Sequence, residues 1–297
     1  MTDIRPRRSM LYMPGSNARA LEKARALPVD ALILDLEDAV APEAKDVARD
    51  QVAAAVAARG FGDREVLVRV NGPATPWGEA DLAAAIACRP DAILLPKVSA
   101  PADLDRAAAA LDAADPDRRI ALWAMVETPL AILDIRNIAA TARAPGARLA
   151  GFVLGTNDLA KDTGARLVPG RAPMTPWLMI ALAAARAFGV AAIDGVYNDV
   201  DDDAGFAAEC AEARDMGFDG KTLVHPRQIG PANAAFTPTA EEVAFAEAVV
   251  QTFARPENAG RGVLRVEGRM VERLHAEMAA RTLAMMQTIA ARDTAPV

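Results

Sequence analysis

Glu127 and Asp158 are the two carboxylates in the chain whose setting suggests chemistry. Glu127 closes the apolar run Ile120–Val126 and stands directly before Thr128-Pro129. Asp158 follows Gly155-Thr156-Asn157 at the end of the run Leu149–Leu154. A carboxylate after a strand often caps the next helix, and for Asp158, as for Asp38, that reading stays open. Glu127 fits it less well. At the end of an apolar strand it projects into buried surroundings, where a carboxylate is costly unless paired or bound to a cation. Two carboxylates with no cysteine or histidine near them in sequence describe a hard-cation site. Mg²⁺ (or Mn²⁺ in its place) takes few protein oxygens and completes its octahedron with water and substrate. The only histidines, His225 and His275, have no ligand spacing, which argues against Zn²⁺. His225 is either catalytic or hydrogen-bonded to a loop, and His275 falls in a surface helix.

Arg69 adds a guanidinium, whose planar fork binds carboxylates in a way lysine does not. A cation flanked by an arginine suits a dicarboxylate or an oxo acid, with the metal stabilising an enolate oxygen as charge develops. The amides of Gly155, Thr156 and Asn157 precede a helical stretch and are candidates to bind carboxylate oxygens. Positive charge also gathers near the N-terminus in Arg5, Arg7, Arg8, Arg19, Lys23 and Arg25. These residues, above all Arg8, Arg19 and Lys23, would cradle nucleotide phosphates such as those of coenzyme A. For Arg19, Lys23 and Arg25 the alternative is a solvated helix face.

Such residues need a frame. Eight short apolar runs recur along the chain: Ser9–Pro14, Ala31–Asp35, Val66–Val70, Ala92–Leu95, Ile120–Val126, Leu149–Leu154, Val190–Val196 and Lys221–Val224. Runs this apolar belong to strands buried on both faces, the habit of parallel sheets covered by helices. Ala/Leu-rich stretches separate them: Ala18–Leu27, Glu43–Arg59, Pro76–Ala87, Ala102–Ala114, Leu130–Ala140, Thr175–Phe188 and Ala204–Met216. Eight βα units predict a closed (β/α)₈ (TIM) barrel; an open doubly wound sheet competes, although no GxGxxG follows the first run. In a barrel the active site lies at the C-terminal strand ends. Those ends carry Asp35-Leu36-Glu37-Asp38, Arg69-Val70-Asn71, Pro96-Lys97, Glu127, Asp158 and His225-Pro226-Arg227. After the eighth run come a helix over Thr237–Ala254, a polar loop, the apolar stretch Val263–Val266 and a final helix over Met270–Arg292. The expected division is a barrel over residues 1–255 and a helical C-terminal extension over 256–297, able to cover a neighbouring subunit.

The length of 297 residues suits one barrel of ~250 residues plus an appendage. A net charge of −7 and 4% aromatic residues argue against a nucleic-acid partner. No apolar run reaches the ~18 residues that span a membrane, and no apolar segment follows the charged stretch Met1–Arg8, so the expectation is a cytoplasmic protein. Cys88 and Cys210 match no metal or redox spacing and read as reduced structural thiols.

Seven segments in order carry a family resemblance: Arg8–Gly15, Leu34–Val40, Val68–Asn71, Leu95–Val98, Val126–Pro129, Gly155–Leu159 and Lys221–Pro226. Together they resemble the citrate lyase β-subunit family, which includes malyl-CoA and citramalyl-CoA lyases and lies within the HpcH/HpaI aldolase superfamily. The resemblance implies Mg²⁺ on Glu127 and Asp158, Arg69 on the oxo or carboxylate end of the substrate, and the Asp35–Asp38 cluster orienting water. It also implies a homo-oligomer, a trimer or hexamer. Members that use coenzyme A often end in a segment like Gly-Lys-Met-Ile-Asp, whose Asp acts as acid/base in a neighbouring subunit. Here Gly268-Arg269-Met270-Val271-Glu272 places Glu272 at that position, either as acid/base or as an exposed helix residue.

The function expected from these readings is a Mg²⁺-dependent carbon–carbon lyase. It would cleave or form a 3-hydroxyacyl-CoA to give an acyl-CoA and an oxo acid, with Arg69, Glu272 and Asp35 as catalytic residues. The alternatives are a malyl-CoA-type thioesterase, a CoA-free 2-oxo-acid aldolase, and a non-enzymatic scaffold.

Overall fold

The eight runs become eight strands. In the computed structural model, which describes residues 5–293, the first unit of chain spans Arg7–Phe236. Its strands are β1 (Ser9–Pro14), β2 (Ala31–Asp35), β3 (Glu65–Arg69), β4 (Ala92–Leu95), β5 (Ala121–Val126), β6 (Leu149–Leu154), β7 (Ala191–Asp194) and β8 (Gly220–Leu223). They pair in parallel and in chain order, and β1 pairs with both β2 and β8, which closes the ring. The expected (β/α)₈ barrel is therefore the fold, and the open sheet is excluded. Around it run α1 (Ala18–Ala24), α2 (Lys45–Ala57), α3 (Gly78–Cys88), α4 (Pro101–Ala114), α5 (Pro129–Ala140), α6 (Thr156–Thr163), α7 (Thr175–Phe188), α8 (Asp203–Met216) and α9 (Ile229–Phe236).

The strands are buried on both faces. Met10, Ile33, Leu67, Leu94, Trp123, Val153 and Ile193 fill the barrel interior, and a larger layer, including Leu32, Leu34, Ile93 and Phe152, packs outward against the helices. A Cβ on Gly151 would come within 2.4 Å of the Trp123 ring, so only glycine lets the indole lie across the interior. The floor of the barrel is ionic. Arg7 stacks 5.1 Å over the Trp123 ring and binds both carboxylate oxygens of Glu65, at 2.5 and 2.9 Å. Arg8 is buried beside it and held by Asp30 through its backbone N–H and two guanidinium nitrogens.

Lys221, inside the eighth run, is fully buried yet charged. Its ammonium donates to Asp194 (2.7 Å), Glu209 (2.6 Å) and the Gly195 carbonyl (2.6 Å), while Arg171 also grips Asp194. This network pins β7 and β8 to α8. A buried charge is tolerated here because each one is paired.

The second unit holds residues 5–6 and 237–293, so the compact division falls at Phe236/Thr237 and not at the expected residue 255. Residues 1–4 and 294–297 of the expected domains lie outside the described residues. This unit contains α10 (Ala240–Ala254), an antiparallel hairpin of β9 (Val263–Val266) and β10 (Arg269–Glu272), and α11 (Arg273–Asp293). Thr239 and Glu242 form a capping box at the start of α10. The hairpin departs from the expected helix over Met270–Arg292. Glu267 and Gly268 both have positive φ (47° and 82°), the two-residue turn whose twist suits a hairpin. Leu264 and Val266 on β9 and Val271 on β10 point inward and pack with residues of α10 and α11, the alternation that a half-buried sheet requires.

Among the described residues no helix is long and apolar enough to cross a membrane. Both cysteines are free thiols, Cys210 buried and Cys88 partly so. Gly151→Ala is expected to destabilise the fold by about 1–3 kcal/mol through overpacking against Trp123, read as a lowered urea midpoint with an unchanged slope.

Candidate functional site

The C-terminal ends of β2 to β6 bring together most of the chemically active side chains. Glu127 follows β5 and is fully buried. Its Oε1 accepts from the backbone N–H of Lys97 at 2.7 Å, and its buried Oε2 has no hydrogen-bond partner. Gly155, after β6, makes this seat possible: a Cβ there would lie 2.3 Å from the Glu127 Cβ and 2.6 Å from Oε2. Asp158 lies in the first turn of α6 with Oδ1 2.8 Å from the Lys97 ammonium, which also stands 3.7 Å from Glu127. Asp158 is the acidic residue of the first turn of α6, where a carboxylate suits the helix dipole, and its Oδ1 pairs with Lys97.

Burial pushes the Glu127 carboxyl up to about 7, against the pull of the Lys97 charge and N–H bond, with the Asp158 charge adding to the rise. For Lys97, burial disfavours the charge, but the hydrogen bond to Asp158 and the Glu127 and Asp158 charges outweigh it and raise its pKa.

Beside this pair stands a second ionic group. Arg69 donates from Nε and Nη2 to the two oxygens of Asp35, both at 2.6 Å, and its Nη1 lies 2.9 Å from Glu37 Oε2. The guanidinium also stacks 4.8 Å over the Tyr12 ring. The two Asp35 oxygens further accept the N–H groups of Glu37 and Ala39. With four donors on two oxygens and no exposure, Asp35 positions Arg69; it is not free to act as a base, and its expected catalytic role is corrected accordingly. The side-on fork of Arg69 is likewise spent on Asp35, and Nη1 faces Glu37 and Met125 Sδ, which leaves the second N–H of Nη2 for a ligand.

Glu37 is the titratable group the sequence undervalued. Burial pushes its carboxyl up to about 8, opposed by Arg69 and reinforced by the Glu127, Asp38 and Asp35 charges. Its backbone is fixed from below. Lys45 donates to the carbonyls of Leu36 and Glu37 and to Asn71 Oδ1, and Asn71 is held in turn by Asp81. Lys97 and Asn71 were visible only as polar residues at or after strand ends, and Lys45 only as part of the helical stretch Glu43–Arg59. A lone lysine among carboxylate-bearing strand ends is the signal that marks Lys97 as their counter-charge.

Other expected site residues fall elsewhere. Arg8 and Arg7 belong to the barrel floor, at the N-terminal strand ends, so Arg8 is no phosphate ligand at the mouth. Arg19 and Lys23 are exposed on α1, Arg19 in its first turn and nearer the mouth. The Gly155 N–H donates to Val126 O (3.0 Å) and is not available to a ligand. Thr156 is buried, and Asn157 pairs its side-chain amide with Asn198. His225 is exposed and accepts the Arg227 N–H through Nδ1, a turn-capping role. His275 accepts the Glu272 N–H, and Glu272 is exposed at the end of β10 in the C-terminal unit.

The donor set fits Mg²⁺. No group of three or more His, Cys, Asp or Glu placed to hold a metal occurs among the described residues. A hard cation that keeps its waters needs only one or two carboxylates, and the unpartnered buried Oε2 of Glu127 lacks only such a cation.

Comparison with known proteins agrees with this geometry. The family model described as HpcH/HpaI aldolase/citrate lyase matches residues 8–226. A (3S)-malyl-CoA thioesterase of Cereibacter sphaeroides (strain KD131 / KCTC 12085) is 49% identical over 286 residues, 96% of each chain. The citrate lyase β subunit of Escherichia coli (strain K12) is 36% identical, over 90% of this chain and 89% of its own. The solved structure of CitE from Mycobacterium tuberculosis in complex with magnesium, acetoacetate and coenzyme A is 27% identical. It superposes with a TM-score of 0.75 over 98% of this chain and 100% of its own. The expectation of a carbon–carbon lyase is thereby corrected: relatives 46–49% identical over 96% of the chain are thioesterases, and the lyase subunit is more distant.

If Glu127 holds Mg²⁺ it must do so as a carboxylate, and a proton competes for the same oxygens. Its affinity is therefore expected to fall as pH drops through about 7, by up to about tenfold per unit below it. Calorimetric titration with MgCl₂ at pH 8, 7 and 6 measures this, and an affinity flat across that range excludes Glu127 as a ligand.

Proposed function

The chain belongs to the HpcH/HpaI aldolase/citrate lyase family, and on that premise we propose that it is a Mg²⁺-dependent thioesterase acting on (3S)-malyl-CoA or a closely similar hydroxyacyl-CoA. The observation that carries this reading is the pairing, within one barrel mouth, of a cation-binding carboxylate pair with a separate carboxyl tuned near neutrality. The identity to malyl-CoA thioesterases over nearly the whole chain supports the thioester as substrate.

Glu127 and Asp158 would hold the cation. Bound there, Mg²⁺ supplies Lewis-acid polarisation of a substrate oxygen. Glu37, pushed up to about 8, is matched to the pH at which it would work, the condition for efficient proton transfer. It takes a proton from the attacking water. The water oxygen bonds to the acyl carbon, the C–S bond breaks, and the leaving sulfur takes the proton from Glu37 to depart as the coenzyme A thiol, while the second proton of the water passes from the new carboxyl to solvent. Malate departs as the dicarboxylate. Arg69, locked on Asp35, would offer the second N–H of Nη2 and its charge to the substrate carboxylate without reorganising, which is where preorganised charge is worth most. Arg19, exposed in the first turn of α1, is suited to nucleotide phosphates, with Lys23 in the last turn of the same helix farther from the mouth. Glu272 is the acid/base candidate that a homo-oligomer would bring to a neighbouring copy's site.

Incubation with (3S)-malyl-CoA and Mg²⁺ is expected to release free CoA and malate in equal amounts without glyoxylate or acetyl-CoA, and EDTA is expected to abolish the release. Glu127→Gln and Asp158→Asn should each lose at least ~10²-fold in kcat/KM, the scale for removing a group that stabilises developing charge. Glyoxylate as the main product, or full turnover in EDTA, refutes the assignment.

A further inference from the structure

Lys97 meets the carboxylate pair twice, by backbone and by side chain. Its N–H donates to Glu127 Oε1 at 2.7 Å. Its ammonium lies 2.8 Å from Asp158 Oδ1 and 3.7 Å from Glu127 Oε1. To do both, the residue adopts φ +53°, the left-handed region that a side chain with a Cβ rarely enters. Strain of this kind persists only where the surroundings over-determine it, and it gathers at functional sites. Here Pro96 precedes the residue, and Glu127 fixes its amide.

Lys97 holds one oxygen of each carboxylate, Glu127 Oε1 and Asp158 Oδ1, in the pair that a divalent cation would share. Two cations on one carboxylate pair repel, so the ammonium and the metal exclude each other. The two contacts differ in mobility. The amide is tied to the chain at the end of β4, whereas the side chain is 42% exposed and ends a flexible four-carbon stem. Lys97 also borders a cavity of about 490 Å³, shared with Asn71 and Asp103, which leaves the stem room to move.

We propose that Lys97 is a positioning residue that competes with the divalent cation: its ammonium and Mg²⁺ alternate on Asp158, while its N–H keeps Glu127 in place throughout. The proposal rests on the metal reading of the pair given above. It makes Lys97 a built-in counter-ion that spares the site two uncompensated carboxylates and sets the metal affinity by competition. Once displaced, the ammonium remains tethered at the rim of the mouth, where its charge favours an anionic ligand.

The test is calorimetric titration of MgCl₂ into the full chain at pH 8, for the wild type, Lys97→Met, Lys97→Gln and Lys97→Arg. Every variant keeps the backbone N–H. Lys97→Met and Lys97→Gln are expected to bind Mg²⁺ at least tenfold more tightly than the wild type, and Lys97→Arg to return near the wild-type value. In EDTA the neutral variants should melt below the wild type, and saturating Mg²⁺ should close the gap. Lys161→Met, which removes an exposed charge on α6, should change the affinity less than twofold; a change as large as that of Lys97→Met reduces the effect to bulk charge and overturns the proposal. Mg²⁺ binding by the wild type that neither neutral variant strengthens overturns it alone. Absence of Mg²⁺ binding in the wild type and the neutral variants alike overturns the metal reading and the proposal together.

Discussion

A fully buried carboxylate at the end of an apolar strand dominates the chemistry of this barrel. Glu127 has left water without acquiring enough partners: one oxygen accepts a single N–H and the other accepts none. Desolvating an ionised carboxylate is worth several kcal/mol against the fold unless a positive charge answers it. Much of the mouth can be read as that answer. Gly155 has no side chain so that the carboxylate can seat, Lys97 takes a left-handed backbone to reach it, and Asp158 comes in on α6 to share the same counter-charge. The strain and unsatisfied polarity collect at one point, as they do where a structure stores readiness for a ligand.

The neighbouring group has the opposite character. Asp35 is saturated by Arg69 and by two backbone amides, and Lys45, Asn71 and Asp81 brace the loop that carries Glu37. Fully satisfied buried networks rigidify, whereas partly satisfied ones respond to what arrives. The mouth thus joins a stiff half, which holds a guanidinium and a near-neutral carboxyl in place, to a partly satisfied half, the one proposed to take up a cation.

The barrel was legible because its signal is collective. Eight apolar runs at regular intervals survive small errors, and β3 begins at Glu65 instead of Val66 without disturbing the pattern. Glu127 was legible for the same reason that it is strained: nothing apolar about its strand excuses a carboxylate. Individual pairings were not legible. Arg8 looks like a phosphate ligand until Asp30 is found against it, and Asp35 looks catalytic until its oxygens are counted. The β9–β10 hairpin hid because Met270-Val271-Glu272 runs into a helical pattern, although Glu267-Gly268 carried the turn. The choice between breaking C–C and breaking C–S was hidden more deeply. Both reactions start from the same thioester beside the same cation, and they part on where a proton acceptor stands, at a scale of about 1 Å.

The ionic floor sets the traffic of the barrel. Trp123 lies across the interior, Arg7 is stacked beneath it and Glu65 clamps Arg7, while layered side chains fill the space between floor and mouth. A barrel packed in this way is a core and not a pore. Whatever reaches Glu127 must arrive from one side and depart by the same opening. For the proposed hydrolysis, which makes two fragments from one ligand, the same opening would serve both, and the fragment seated deeper would follow the one nearer the rim, because the other end is closed by a stacked cation.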